Sequence, residues 1–235
     1  MAPTFTDGSY AACLADGHGG SVPPCFAAFL RYKAARQATM TSDSQQSKND
    51  MRQRSLARRS ALTPELARRA AQDATNHLLD FITATDAAPS VVIACYLPVR
   101  GEIDMREAFA ALEGRGYALC LPVVAGNDEP LLFRRWHIDD ALEQGKFGIA
   151  VPAASSDALI PDVVIVPLVA FDAKGHRLGY GAGYYDRTLH QLRKFGNVQA
   201  IGVAYASQQV ENIVAEAHDA LLDAVVTEKG VVRFR

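Results

Sequence analysis

Residues 171–187 hold the densest chemistry in the chain, FDAKGHRLGYGAGYYDR. Glycines at 179, 181 and 183 let the backbone approach a ligand closely and point several N–H groups one way. A helix expected just beyond adds the partial positive charge of its N-terminus, so the segment reads as a phosphate cradle. It is not a Walker A loop, because no Gly-Lys-Ser/Thr follows. The dinucleotide fingerprint also fails, since Tyr184 stands in the place of the third glycine. On glycine spacing alone, a tight structural turn is an equally good reading. Arg177 before the glycines and Asp186 after them favour function: an arginine clamps phosphate oxygens, and a carboxylate holds magnesium against them.

Three further groups stand out. Lys48, Arg52 and Arg59 fall within about 40° of one another on an ideal helix. That face can grip phosphates, or it can be a solvated basic stripe. Glu102 follows a strand end by a tight turn, where ligand groups concentrate in open α/β sheets, while Asp104 reads as a helix N-cap. Charge is divided along the chain: basic residues crowd between Lys48 and Arg69, and residues 207–228 hold five acids and no Lys or Arg. Asp219 lies in that acidic stretch beside His218, which reads as structural. Tyr184 and Tyr185 divide between core and ligand, and His137 and His176 are left without a role.

These residues need elements to carry them. Lys48–Leu62, free of Gly and Pro, is expected as a helix. Thr63-Pro64-Glu65 reads as N-cap, first-position proline and first-turn acid of a second helix, with Leu66, Ala70, Ala74, Leu78 and Phe81 on its inner face. Val91–Leu97 is of strand length. Asp104-x-x-Glu107 resembles a capping box opening a helix that Gly114 and Gly116 close. Strands are expected over Tyr117–Val123, Leu131–Trp136, Val163–Pro167, Gln199–Tyr205, Asp223–Thr227 and Val231–Phe234, with a helix over Tyr184–Lys194. The alternation predicts an α/β fold of three layers, α/β/α, around a largely parallel sheet. Residues 1–47 lack sustained periodicity and are expected to form a mostly disordered extension, with a short helix possible over Cys25–Ala38 and Met40 a conceivable start. Residues 48–235 form the domain.

Composition narrows the function. With 24 basic against 26 acidic residues and a net charge of −2, nothing calls for nucleic acid. No apolar run reaches the roughly 18 residues a membrane helix needs, and the start of the chain lacks a secretory pattern. Cys95 and Cys120 sit in apolar strand-like runs, as reduced buried thiols do. We expect a cytoplasmic monomer acting on small molecules.

The run R-L-G-x-G-x-G-Y-Y-D, preceded by V-P-x-x-A-F-D, resembles the signature of the 5-formyltetrahydrofolate cyclo-ligase family. Lys48-x-x-x-Arg52, Tyr96-Leu97-Pro98 with Gly101-Glu102-Ile103-Asp104, Phe147-Gly148-Ile149, and the run from Gly202 to Glu228 are similar to further family segments in the same order. Departures include Val151 where a glutamate is usual, and Leu168, Ala182 and Ala206. The resemblance implies an ATP- and Mg2+-dependent closure of 5-formyltetrahydrofolate to 5,10-methenyltetrahydrofolate, with release of ADP and phosphate. It assigns ATP to Lys48, Arg52, Arg177, Leu178, Gly179, Tyr180, Gly181, Ala182, Gly183, Tyr184 and Tyr185, with Arg177 catalytic. It assigns reduced folate to Arg52, Leu97, Glu102, Tyr180, Gly181, Ala182, Gly183 and Tyr184, and magnesium to Asp186 and Asp219. Two other readings stay open: a nucleotide-binding paralogue acting on another small substrate, and a nucleotide-binding protein that is no enzyme.

Overall fold

A computed structural model describes residues 45–84 and 90–234. The expected extension, with its helix over Cys25–Ala38, lies outside them except at its last residues. Helix α1 spans 45–60, so it is already under way three residues before Lys48, and Leu62 falls in the turn after it. Thr63 then caps α2 (Pro64–Thr83) as expected, its side-chain oxygen accepting from the Leu66 N–H at 3.3 Å. Ala70, Ala74, Leu78 and Phe81 of α2 are buried, but Leu66 is 53% exposed. It sits in the first turn of the helix.

The remaining elements are β1 (Val92–Ala94), α3 (Arg106–Gly114), β2 (Ala118–Val124), β3 (Leu131–Arg135), β4 (Glu143–Gln144), β5 (Ala150–Val151), β6 (Val163–Pro167), β7 (Ala170–Phe171), β8 (Arg177–Leu178), α4 (Tyr184–Phe195), β9 (Gln199–Val203), β10 (Ala224–Thr227) and β11 (Gly230–Arg233). Seven strands form one sheet in the order β11-β10-β9-β6-β1-β2-β3. The inner five run parallel, and β3 and β11 close the edges antiparallel. The pairs β4-β5 and β7-β8 are separate two-residue ribbons.

Side chains alternate across this sheet, as the two-residue period of a strand demands. Ile93, Leu119, Val163, Ile165, Ile201 and Val226 enter one core with α2 and α3. Their neighbours Ala94, Cys120, Val164, Val166, Ala200 and Val225 enter a second core that includes Leu189 of α4. Both faces are therefore covered, which gives the expected three layers and explains why the strands read as unbroken apolar runs.

Asp104 does not cap α3. Met105 occupies the N-cap without a side-chain hydrogen bond, while the Asp104 carboxylate accepts from the Arg106 N–H and guanidinium. A partner two residues away outcompetes the capping box, as a short Asp side chain readily permits.

Chain order places the site. From β1 the chain moves through α3 to β2 on one side, whereas from β6 it moves to β9 on the other. The sheet reverses its winding between β1 and β6, and ligands of open α/β sheets bind at the C-terminal ends of strands flanking such a point. The turn carrying Glu102 follows β1, and the glycine loop follows β6 through the β7-β8 ribbon.

Candidate active site at the glycine loop

Helix α1 lays its basic face against this crevice. Lys48 is buried, and its Nζ lies 3.0 Å from Glu216 and 3.1 Å from Asp219. One turn on, Arg52 donates from Nε to the Gly179 carbonyl at 2.9 Å and from Nη1 to Asn49 at 2.6 Å. Arg59, 4% exposed, donates to the Tyr180 hydroxyl at 2.7 Å and to the Arg100 carbonyl at 2.9 Å. The face is thus no solvated stripe: three cations on one arc meet the acidic loop, the glycine loop and the turn after β1. Burial lowers the pKa of Arg52, opposed by the charges of Asp219 and Glu216.

The glycine loop is held from behind. Asp172 is fully buried and accepts from the N–H groups of Lys174, His176 and Ile213 and from the His176 ring. Burial alone would raise its pKa; those donors hold it below the usual carboxylate value. This explains Asp172 and His176, which sequence reasoning left without a role: together they fix the β7-β8 turn beneath the glycines. Gly181 at φ 104° and Gly183 at φ 67° take conformations that L side chains rarely adopt. Gly183 is the N-cap of α4, so the loop opens onto a helix N-terminus.

Arg177 sits under the loop with its side chain 5% exposed. It donates to Asp186 at 2.6 Å and to the Ala220 carbonyl. Asp186 also accepts the Ala220 N–H at 3.0 Å. Asp186 is therefore the partner of Arg177, and the Asp219–Ala220 segment is tied to both. Desolvation lowers the Arg177 pKa, opposed first by Asp186 and then by Asp219. Ligand atoms of Glu216, His218 and Asp219 lie within 4.8 Å of one another, a set of donors able to hold a cation. Lys48 neutralises two of these acids, and Asp219 is pulled below the usual carboxylate range despite its burial by the Glu216 N–H and Lys48.

On the other side of the crevice, Val99–Glu102 forms a tight turn with two successive left-handed residues, Arg100 at φ 51° and Gly101 at φ 76°. Its conformation throws the Glu102 side chain back on the turn. One carboxylate oxygen accepts the Val99 N–H at 3.0 Å, and the other accepts the Tyr180 hydroxyl at 2.7 Å. Burial raises the Glu102 pKa, and these two donors with Arg59 and Arg100 counter it. Burial and the Glu102 charge push the Tyr180 phenol up to about 12.

Glu102 and Arg59 border a groove of about 890 Å³ whose wall includes Gln72, Gly101, Trp136 and Tyr205. The Arg59 Nε and the Trp136 Nε1 are buried without hydrogen-bond partners among the described residues. The structure thus brings Lys48, Arg52, Arg177, Asp186, Asp219, Tyr180 and Glu102 into one connected region. Leu178 is buried beneath it with Ala170 and Ile213. Leu97 packs on the α2/α3 core and does not line the groove. Tyr184 and Tyr185 both lean on the second core, Tyr184 tilted against Phe147 at 6.4 Å and under the Arg187 guanidinium. Val151 is buried on β5, away from the groove lining. Phe147, 71% exposed at φ 60°, is the aromatic the sequence offered without a stated role.

The chain has relatives among known proteins. The chain is 36% identical over 186 residues to the 5-formyltetrahydrofolate cyclo-ligase of Escherichia coli (strain K12), covering 74% of this chain and 96% of the relative. It is 36% identical over 174 residues to that of Haemophilus influenzae, covering 72% and 91%. The solved Aquifex aeolicus 5,10-methenyltetrahydrofolate synthetase superposes with a TM-score of 0.66 at 34% identity, covering 80% of this chain and 93% of that one. Because the profile of the 5-formyltetrahydrofolate cyclo-ligase family also matches residues 44–228, from α1 through the whole crevice to the end of β10, the chain belongs to that family.

Proposed function

We propose that the crevice between β1 and β6 closes 5-formyltetrahydrofolate to 5,10-methenyltetrahydrofolate at the expense of ATP. The activity is that of a 5-formyltetrahydrofolate cyclo-ligase, an ATP-dependent ligase of folate one-carbon metabolism. The observation that carries the assignment of halves is the 2.7 Å contact between Tyr180 and Glu102, where the glycine loop meets the groove. ATP lies on the Gly179–Gly183 backbone and the α4 N-terminus, beside Arg52. The folate lies in the groove, where Glu102 orients the pterin.

A formamide oxygen is a poor leaving group. Transfer of the γ-phosphoryl group to it releases ADP and makes that oxygen ready to depart as phosphate. The second folate nitrogen then attacks the formyl carbon and gives up its proton, the C–O bond breaks with phosphate leaving, and the ring closes. Little covalent help is needed from the protein. Alignment of two bound reactants supplies roughly 7–11 kcal/mol of such a barrier, and charge stabilisation of the phosphoryl group supplies more.

The donor set fits magnesium, which prefers carboxylate oxygens and retained water. Asp219, with Glu216 and His218 beside it, would hold it together with Asp186, which lies outside that donor cluster and is tied to it through the Ala220 N–H. When bound, the ion neutralises charge on the nucleotide phosphates. Each of the two aspartates is paired with a candidate phosphate ligand, Arg177 with Asp186 and Lys48 with Asp219. The two ion pairs keep cations and anions preorganised in a partly dry site. On nucleotide binding, Lys48 and Arg177 turn to phosphate oxygens and leave both carboxylates free. The protein acts as a monomer in this reading. Among the described residues no helix is long and apolar enough to cross a membrane, and the buried free thiols of Cys95 and Cys120 suit a reducing cytoplasm.

Magnesium titration at saturating ATP tests the metal assignment. Asp186→Asn should raise the magnesium needed for half-maximal rate far more than it weakens binding of 5-formyltetrahydrofolate alone, and Asp219→Asn should do so more mildly. An unchanged titration curve for Asp186→Asn, with lowered stability only, would leave Asp186 as nothing more than the partner of Arg177.

A further inference from the structure

The buried end of α1 holds an arginine that the phosphates do not need. The Arg59 guanidinium touches three segments distant in sequence: the Tyr180 hydroxyl of the glycine loop, the Arg100 carbonyl of the turn after β1, and the Leu168 carbonyl after β6. Two of these segments have a reason to move. The turn keeps Arg100, a residue with a Cβ, at φ 51°, a conformation that persists only where surroundings enforce it. Tyr180 is partly exposed on a glycine-flanked loop, with Gly179 and Gly181 on either side. Glu102 is a carboxylate turned away from water.

We propose that Arg59 is a positioning residue for the folate half of the site, locking Tyr180 and the Arg100–Gly101 turn so that Glu102 meets the substrate in one orientation. The hydrogen bonds run one way, from Arg59 to the Tyr180 oxygen and from the Tyr180 hydroxyl to Glu102. The phenol accepts a charge-assisted bond and passes on a donor, so each link polarises the next. The Arg100 side chain completes the enclosure, its guanidinium 5.0 Å above the Tyr180 ring. Arg59 and Glu102 both line the groove, so this lock lies at the substrate and not in remote core. Neither the phosphate cradle nor the magnesium set includes Arg59, and its loss therefore falls on one substrate.

The inference rests on the folate occupying the groove, and the experiment separates the two. Steady-state kinetics of wild type, Tyr180→Phe, Arg59→Leu and the double variant are measured with 5-formyltetrahydrofolate and ATP varied in turn, alongside melting curves. Tyr180→Phe removes one oxygen and keeps the ring, so it remains folded even if Arg59→Leu does not. Each single variant should lower kcat/KM for the folate roughly ten- to a hundred-fold, the range of a hydrogen bond to a charged group. The KM for ATP should stay within about two-fold, and the double variant should be no worse than the worse single one, as for groups acting as a unit. A folded Tyr180→Phe with wild-type folate kinetics overturns the inference while the functional reading stands. So do losses shared equally by ATP and folate, or losses that multiply in the double variant. A wild-type chain that neither binds nor cyclises the folate overturns both.

Discussion

Arg177 and Glu102 show how burial turns single residues into commitments. Arg177 is enclosed with Asp186, so its loss leaves a carboxylate without its cation and, on the proposed function, removes a phosphate ligand. Arg177→Ala should lose turnover by roughly the 3–4 kcal/mol of a missing transition-state donor and should also melt lower than wild type. A folded variant with near-normal turnover would take Arg177 out of the site. Glu102 runs the opposite way in stability. Burial raises its pKa, so the folded chain binds its proton more tightly than the unfolded chain does. Stability falls as pH rises from the ordinary carboxylate pKa through the raised one, and above both the cost stands in full. Glu102→Gln should therefore gain melting temperature over wild type as pH rises above the ordinary carboxylate pKa of about 4, while folate turnover drops. A difference in melting temperature that does not grow with pH would contradict this. Residue types in the site were legible from spacing, but partners were not: Lys48 meets Asp219 across 171 positions and Arg59 meets Tyr180 across 121, distances at which no local pattern speaks.

Among the elements, long periodic segments were readable and short ones were not. The α2 start follows from Thr63-Pro64, and β6 from its apolar run, because propensity and burial agree there. The β4-β5 and β7-β8 ribbons have two residues per strand, too few for any period, and β7-β8 is set by the hydrogen bonds of Asp172 instead. Asp104 misled because a capping pattern says nothing of a competing arginine two residues on. Two substitutions separate support from chemistry. Thr63→Ala should cost about 1 kcal/mol of stability and leave kcat unchanged, as read by denaturant melts and steady-state rates. Gly181→Ala puts a Cβ at φ 104°, 3.6 Å from the Arg52 guanidinium. It should cost about 1–3 kcal/mol of backbone strain and raise the KM for ATP. A variant with wild-type ATP kinetics would remove the loop backbone from the nucleotide site.

At the scale of the whole molecule, the layer order follows from strands apolar on both faces, while the reversal between β1 and β6 that locates the crevice needs the strand order itself. The family match begins at residue 44, so the chemistry belongs to the part that follows. A chain starting at Met40 should keep the melting temperature and turnover of the full chain, and a large drop in either would give residues 1–39 a part in the domain. The central claim is that one crevice binds ATP and the reduced folate together and couples ATP cleavage to ring closure in a single turnover. Its most direct measurement mixes the full chain with ATP, magnesium and 5-formyltetrahydrofolate and follows the absorbance of methenyltetrahydrofolate, with ADP counted in parallel. The account predicts one ADP for each methenyl product, and no product when ATP is left out. ATP consumed without methenyltetrahydrofolate, or no reaction with all components present, would contradict it.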